Sequence, residues 1–212
     1  MGEVERTMKQ RQRLSHGRRQ LLHGIGFLPF AYLLGTWPDM NDAPAGEVLP
    51  TPACTDSGEP TPQQMEGPFF RPRSPERASL IEPGLPGTKL LLSGQVLSTT
   101  CEPVAGALLE FWHADNSGNY DLEGFRLRGH QYTDREGRYR LETIVPGQYP
   151  FRTRHIHVKV QAPRERILTT QLYFPDEPRN QRDFLFKPRL LMAMQDTDTA
   201  MTARFDFILK LS

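Results

Sequence analysis

Arg154-His155-Ile156-His157-Val158-Lys159-Val160-Gln161 is the stretch on which the reading of this chain turns. Successive side chains of a β-strand point to opposite faces, so Ile156, Val158 and Val160 share one face and His155, His157, Lys159 and Gln161 the other. The first face is apolar throughout and belongs against a core. The second projects two imidazoles together, which lets them take adjacent sites on one metal ion. Histidines set opposite a face that is apolar throughout fit the role of ordinary core residues less well, although the pair alone does not establish a metal site.

Outward from this stretch the same alternation recurs. Residues 90–97 form a short apolar run, and residues 107–113 put Ala107, Leu109, Phe111 and His113 on one face. Residues 137–143 alternate Tyr139, Leu141 and Thr143 against Arg138, Arg140 and Glu142, after turn residues at 134–137. Residues 167–174 and 204–211 complete the set, the last with Phe205, Phe207 and Leu209 opposite Asp206. No helix of useful length is indicated between them, and 19 Pro and 17 Gly punctuate the short apolar runs. The pattern predicts an all-β fold, an antiparallel β-sandwich with little helix, over residues 89–212, preceded by a Pro-rich arm over 46–88. A chain of 212 residues suits one domain with a real core. The net charge of +1 offers no basic excess for nucleic acid.

Residues 1–45 read differently. Arg18-Arg19 precede a modestly apolar run over 25–34, and Ala43-Pro44-Ala45 follows it. A basic segment, a short apolar segment and a small-residue site are the parts of an export signal, here of the twin-arginine kind. About ten apolar residues cannot cross a ~30 Å hydrocarbon core, so stable membrane insertion is not expected. The expected destination is the periplasm or the exterior. In that oxidising setting Cys54 and Cys101 are expected to form a disulfide. Closing such a loop stabilises by about 4 kcal/mol on the chain-entropy argument.

Two histidines do not complete a metal site, and no Cys, Asp or Glu lies close to them in sequence. The lack of a nearby carboxylate argues against a zinc hydrolase. Tyrosines do lie close: Tyr149 in Gly147-Gln148-Tyr149-Pro150, and Tyr120 at the end of Asp115-Asn116-Ser117-Gly118-Asn119-Tyr120. A phenol must lose a proton to ligate, and a hard trivalent cation supplies the drive to take it. Fe(III), two phenolates and one hydroxide sum to zero charge, the least costly state for a partly buried site. Tyr120, Tyr149, His155 and His157 therefore point to non-haem Fe(III). Tyr132 is the rival tyrosine; Tyr32 falls in the signal, and Tyr139 and Tyr173 stand at core-like strand positions. Trp112 reads as core, His113 as a packing partner, His130 as a solvated residue before a hairpin, and Asp115 as the holder of its own loop through an Asx turn.

The ordered set of motifs resembles the intradiol ring-cleavage dioxygenases, most like the protocatechuate 3,4-dioxygenase subunits and smaller exported relatives. It comprises Glu66-Gly67-Pro68-Phe69-Phe70, Pro103-Val104-Ala105-Gly106-Ala107, and Phe111-Trp112-His113-Ala114-Asp115 running on to Tyr120. It continues with Thr133-Asp134 to Gly137-Arg138-Tyr139, Pro146-Gly147-Gln148-Tyr149-Pro150, Arg152-Thr153-Arg154-His155-Ile156-His157 and Gln171-Leu172-Tyr173-Phe174-Pro175. The resemblance covers residues 60–211. It implies that Tyr120 and His155 are equatorial iron ligands and Tyr149 and His157 axial ones. It also implies that Arg152 sits over the substrate and that Gln171 borders the same pocket. The implied activity is opening of a catechol-type ring between its hydroxyls, with the small-molecule diol and O2 as partners, to a muconate-type diacid. Phe70 stands where the family often has an aromatic hydroxyl, Tyr149 is only six residues before His155, and the helical dimerisation segment of the catechol 1,2-dioxygenases is not read in the chain. The particular diol, and whether the chain forms a homo-oligomer, are left open. The alternative of another class is a non-catalytic, transthyretin-like β-sandwich binding module. Residues 92–112 alone would fit it, but it gives no reason for the tyrosine–histidine set or for Arg152.

Overall fold

The computed structural model describes Cys54, residues 58–196 and residues 200–212; the export-signal reading of 1–45 lies outside these. Nine strands are present among them. They are β1 (Lys89–Ser98), β2 (Leu108–Trp112), β3 (Arg128–Tyr132), β4 (Arg138–Ile144), β5 (His155–Gln161), β6 (Leu168–Tyr173), β7 (Ala193–Asp196), β8 (Met201–Arg204) and β9 (Phe207–Leu209). The helical content among the described segments of three or more residues is two single 3-10 turns, Asn180–Arg182 and Pro188–Leu190.

The strands form two sheets. One runs β3-β2-β5-β6, every neighbour antiparallel. The other runs β4-β1-β8-β7, with β9 continuing along β1. In this second sheet β1 pairs antiparallel with β4 but parallel with β8 and β9. The period-2 pattern decides what lies between the sheets. Leu109 and Phe111 of β2, Ile156, Val158 and Val160 of β5 and Leu172 of β6 are fully buried against Leu90, Leu92, Leu141 and Phe207 of the other sheet. Each such burial stabilises by about 1.5–3 kcal/mol.

The stretch 204–211, read as a single strand, is broken: Arg204 ends β8 and only Phe207–Leu209 continue as β9. Asp206 interrupts it: its Oδ1 accepts from the backbone N–H of Gln95 in mid-β1 at 2.9 Å, and its Oδ2 accepts from Arg204 Nη2 at 2.9 Å. A carboxylate thus replaces a backbone carbonyl in the β1 ladder, and β8 hands over to β9 around it. Strands β3 and β7, and β8 apart from Arg204, are absent from the sequence reading because none carries a clear apolar alternation. β3 is held by its pairing with β2, from Leu108↔Tyr132 to Trp112↔Arg128, and by a parallel bridge from Glu76 of the arm to His130. His130 consequently sits within a strand, half-buried, with Nδ1 3.3 Å from Ser74 Oγ, and not in solvent ahead of a hairpin.

The arm is stitched to both sheets. Gln64 N–H donates to Thr169 O and Arg77 N–H to His130 O on the first sheet, while Thr61 N–H donates to Ile208 O and Leu80 N–H to Glu142 O on the second. Leu80 is fully buried. Cys54 and Cys101 are joined by a disulfide with Cα atoms 5.6 Å apart. Removing the Asp206 carboxylate leaves Gln95 N–H and Arg204 without their buried partner. Asp206→Ala is expected to lower unfolding free energy in urea by about 3 kcal/mol, with Asp206→Asn costing less because it retains an acceptor.

Candidate metal centre

Two loops must meet before the tyrosines can. Asp115 Oδ1 accepts from Ser117 N–H and Asn119 N–H, both at 2.9 Å, the Asx arrangement expected of it. Gly147 N–H donates to Asp115 O at 2.7 Å and so draws the second loop against the first. The approach is backbone to backbone. A Cβ on Gly118 would lie 2.3 Å from Gln148 O, and one on Gly147 would lie 2.4 Å from Gly118 N. Gly118 also has φ of 88°. Only glycine at both positions lets the loops close to this distance.

The result brings the Tyr120 and Tyr149 rings together, edge to face, with centroids 5.9 Å apart. Phe69 of the arm stacks on Tyr120 at 4.4 Å and meets Tyr149 edge-on at 5.5 Å. Arg128, fully buried, fastens this assembly: Nη1 donates to Phe69 O at 2.7 Å and Nη2 to Asp121 O at 2.9 Å.

His155 and His157 lie on the outer face of β5, buried beneath the arm. His155 Nδ1 donates to Thr153 O at 2.7 Å, which leaves Nε2 with its lone pair free. That Nε2 lies 3.1 Å from His157 Nε2 and 3.5 Å from Tyr120 Oη. Burial, with the charge of Arg152 behind it, lowers His155 to about 4 and His157 well below its ordinary value. Both imidazoles are therefore neutral donors near pH 7. Burial pushes the Tyr120 phenol up, and the positive charges of Arg152 and Arg128 oppose this only in part. Among the described residues no group of three His, Cys, Asp or Glu is placed to hold a metal, so the donor set here needs tyrosine to be complete. Two neutral nitrogens and a phenol oxygen converging without a carboxylate suit a cation of high charge, the kind that ionises phenols. Tyr149 joins through its ring contact with Tyr120. Tyr132, the rival, stands on β3 with 53% of its surface exposed and takes no part.

Trp112 is not in the core between the sheets. It lies opposite His157 in the β2–β5 register and stacks on that ring, centroids 4.8 Å apart and planes within 6°. Phe70 meets it edge-on at 5.0 Å. His113 is a buried packing residue, Nδ1 2.7 Å from Ala114 O and Nε2 2.7 Å from Thr143 Oγ1.

Arg152 is held by a cradle that sequence reading caught only in part. Its Nε donates to Asp183 Oδ2 at 2.8 Å, and its Nη2 to Gln171 Oε1 at 2.6 Å and Tyr173 Oη at 3.4 Å. Gln171 is fully buried; its Nε2 donates to Met65 O at 3.0 Å, so it ties Arg152 to the arm and does not face open space. Burial alone would raise the Asp183 carboxyl. Hydrogen bonds from Leu185 N–H, Arg152 and Thr153 N–H outweigh it and hold the group below the ordinary carboxylate range. Asp183 has no local sequence signal, being 31 residues from its partner. Tyr173 had one: it stands two residues after Gln171, hence on the same face, and opposite His155 in register.

Comparison with known proteins places residues 65–211 within the Dioxygenase family. Catechol 1,2-dioxygenase 2 of Acinetobacter lwoffii is 34% identical over 155 residues, covering 61% of this chain and 56% of that protein. Chlorocatechol 1,2-dioxygenase of Rhodococcus opacus is 27% identical over 212 residues, covering 83% of this chain and 82% of that one. The chain spans little more than half the length of several of the curated relatives it matches. Among solved structures, one relative is the dioxygenase domain of a dioxygenase–carbohydrate-binding protein fusion from the cellulolytic bacterium Streptomyces sp. SirexAA-E. It is 54% identical with a TM-score of 0.71, covering 73% of this chain and 100% of that one.

His113 and His155 are both lowered to about 4 in the folded protein, against ~6.5 for an unperturbed imidazole. Between these values the unfolded chain binds protons that the folded one refuses, so stability falls as pH falls. The thermal midpoint of metal-free protein is expected to drop steadily from pH ~6.5 to ~4. A flat profile across that window would contradict the buried, neutral state of these rings.

Proposed function

The chain belongs to the intradiol ring-cleavage dioxygenase family, and from that standing we propose that it opens catechol-type rings between the two hydroxyl-bearing carbons, with O2, to give muconate-type diacids. Both oxygen atoms end in the product and no organic cofactor is used. The observation that carries this reading is the convergence of His155 Nε2, His157 Nε2 and Tyr120 Oη, with separations of 3.1 and 3.5 Å about His155, beside Tyr149 and Arg152.

Tyr120, Tyr149, His155 and His157 would hold non-haem ferric iron. Bound there, ferric iron supplies the positive charge that ionises the phenols and the diol, and the oxidising character that opens the diol ring to O2. The protein's own groups do the rest. His155 and His157, neutral through burial, offer lone pairs without first losing a proton. Tyr120, its phenol pushed up by burial, gives up its proton only against strong positive charge, which favours a trivalent ion over a divalent one. Tyr149 heads a turn and takes a proton from the incoming diol on its Oη. Arg152 spends Nε and Nη2 on Asp183, Gln171 and Tyr173, which leaves Nη1 for an anionic oxygen of the reacting diol. A guanidinium already oriented stabilises developing charge without reorganising. Phe69 over Tyr120 and Trp112 over His157 keep water from two sides of the centre. A non-catalytic binding module would need none of this arrangement.

We propose further that Arg18-Arg19 and the apolar run after them direct the folded protein out of the cytoplasm, which suits a protein that collects its metal first.

Iron-loaded protein is expected to be burgundy to red-brown from phenolate-to-Fe(III) charge transfer and to consume one O2 per catechol. A colourless protein that holds zinc and no iron would overturn the reading. Tyr120→Phe should shift the visible band and abolish turnover, whereas Tyr132→Phe should leave both unchanged. Arg152→Ala should keep iron and colour but lower kcat by about 10²–10³-fold, the usual loss for one oriented charge-stabilising group. Replacing Arg18 and Arg19 with lysine should leave the precursor in the cytoplasm on cell fractionation; unchanged delivery would refute the twin-arginine assignment.

A further inference from the structure

Tyr149-Pro150-Phe151-Arg152 is a tight turn closed by Arg152 N–H donating to Tyr149 O at 3.1 Å. Its third residue, Phe151, has φ of 64°, the left-handed region where turns ordinarily place glycine or asparagine. A bulky side chain held there costs of order 1 kcal/mol. No burial offsets that cost, because Phe151 is 95% exposed. Phe184, next to the Asp183 that holds Arg152, is 84% exposed. Together with Pro150, Arg179 and Arg182, these rings line a cavity of about 650 Å³. An apolar cavity of ~150 Å³ already accommodates a benzene molecule. The cavity lies beside the segment that carries two residues of the site: Phe151 stands between Tyr149 and Arg152 in the chain, and Arg179 Nη1 donates to Tyr149 O at 3.4 Å. Arg179 and Arg182 are exposed and make no ion pair among the described residues.

We propose that Phe151, Phe184, Arg179 and Arg182 form a subsite for a second aromatic ring bearing an anionic group, joined to the catechol ring that is opened at the metal centre. This rests on the ring-cleavage reading. The phenylalanines offer two exposed aromatic faces or edges, the geometry that aromatic ligands pack against, and the unpaired arginines supply the complementary charge. A single-ring catechol held at the metal has no group to reach them.

The test uses the full iron-loaded chain with catechol, 4-phenylcatechol and 4-(4-carboxyphenyl)catechol as probes. Phe151→Gly suits the backbone at that position, so it removes the ring without disturbing the turn; Phe184→Ala and Arg182→Gln complete the set. With catechol, kcat/KM should stay within about twofold of the parent for all three, since none touches the reacting ring. With 4-phenylcatechol, the two phenylalanine variants should each lose about tenfold, equivalent to ~1.4 kcal/mol. Arg182→Gln should cost the carboxylated probe about threefold and the uncharged one nothing. Dissociation constants measured anaerobically by tryptophan quenching should follow the same order. If catechol and 4-phenylcatechol respond alike, the subsite does not exist. If size-exclusion chromatography shows the phenylalanine variants splitting a dimer, the patch is a self-association surface and the proposal is overturned. Should the parent open no diol at all, the ring-cleavage reading fails on its own, and the anaerobic constants still decide the subsite.

Discussion

Everything at the metal centre depends on β5 having two faces with opposite duties. Ile156, Val158 and Val160 are fully buried between the sheets, and that fixes the register of the strand, because a slip of one residue would exchange its faces. His155 and His157 are thereby committed to the outer side. A histidine pair on the outside of a sandwich would normally meet water, which would hydrate the imidazoles and dilute any charge placed near them. Here they are 4% and 3% exposed, because the Pro-rich arm passes over them. The arm is therefore part of the site and not merely an approach to the domain. Its fastenings to Thr169, His130 and Gln171 lie on the same sheet as the histidines.

From that roof follow the electrostatics. Burial keeps both imidazoles neutral and raises the Tyr120 phenol, so these three donors carry no charge of their own near pH 7. Of the two fixed cations nearby, Arg128 is spent on backbone carbonyls, and Arg152 is neutralised on its far side by Asp183, which is 6% exposed. A buried pair of this kind contributes little net stability, since desolvation offsets most of the attraction. What it contributes is orientation: with Nε and Nη2 committed, the guanidinium plane is set before any ligand arrives.

Much of this was legible in the sequence, and the parts that were not share a cause. The strands β2, β4 and β5 announce themselves by alternation, β1 and β6 as short runs between turn residues, and the histidine pair by its spacing. Strand β3 does not, since Gly129, His130 and Gln131 carry no apolar period and the strand exists because β2 on one side and the arm on the other offer it partners. Asp206 looked like an outward-facing residue in a continuous strand; its partner on β1 is 111 residues away, and nothing local reveals that its carboxylate breaks the ladder. Asp183 was invisible for the same reason. Trp112 was misplaced because a large apolar ring reads as core on composition, while parity along β2 puts it opposite Phe111, on the face of His157. Local pattern gives faces and turns; it does not give partners across the fold.

The turn at residues 149–152 shows why one short segment can carry two unlike demands. Its ends must be fixed: Tyr149 is held against Tyr120 by the glycine-to-glycine crossing of Gly118 and Gly147, and Arg152 is held by Asp183 and Gln171. With both ends anchored, the two central residues have no remaining structural task, and a glycine at the third would relieve the backbone. Phenylalanine stands there instead, at positive φ and open to solvent. Strain persists only where the surroundings over-determine it, and the anchored ends supply that condition. Rigid placement of the metal and charge-bearing groups and presentation of an exposed ring are thus two consequences of the same closure.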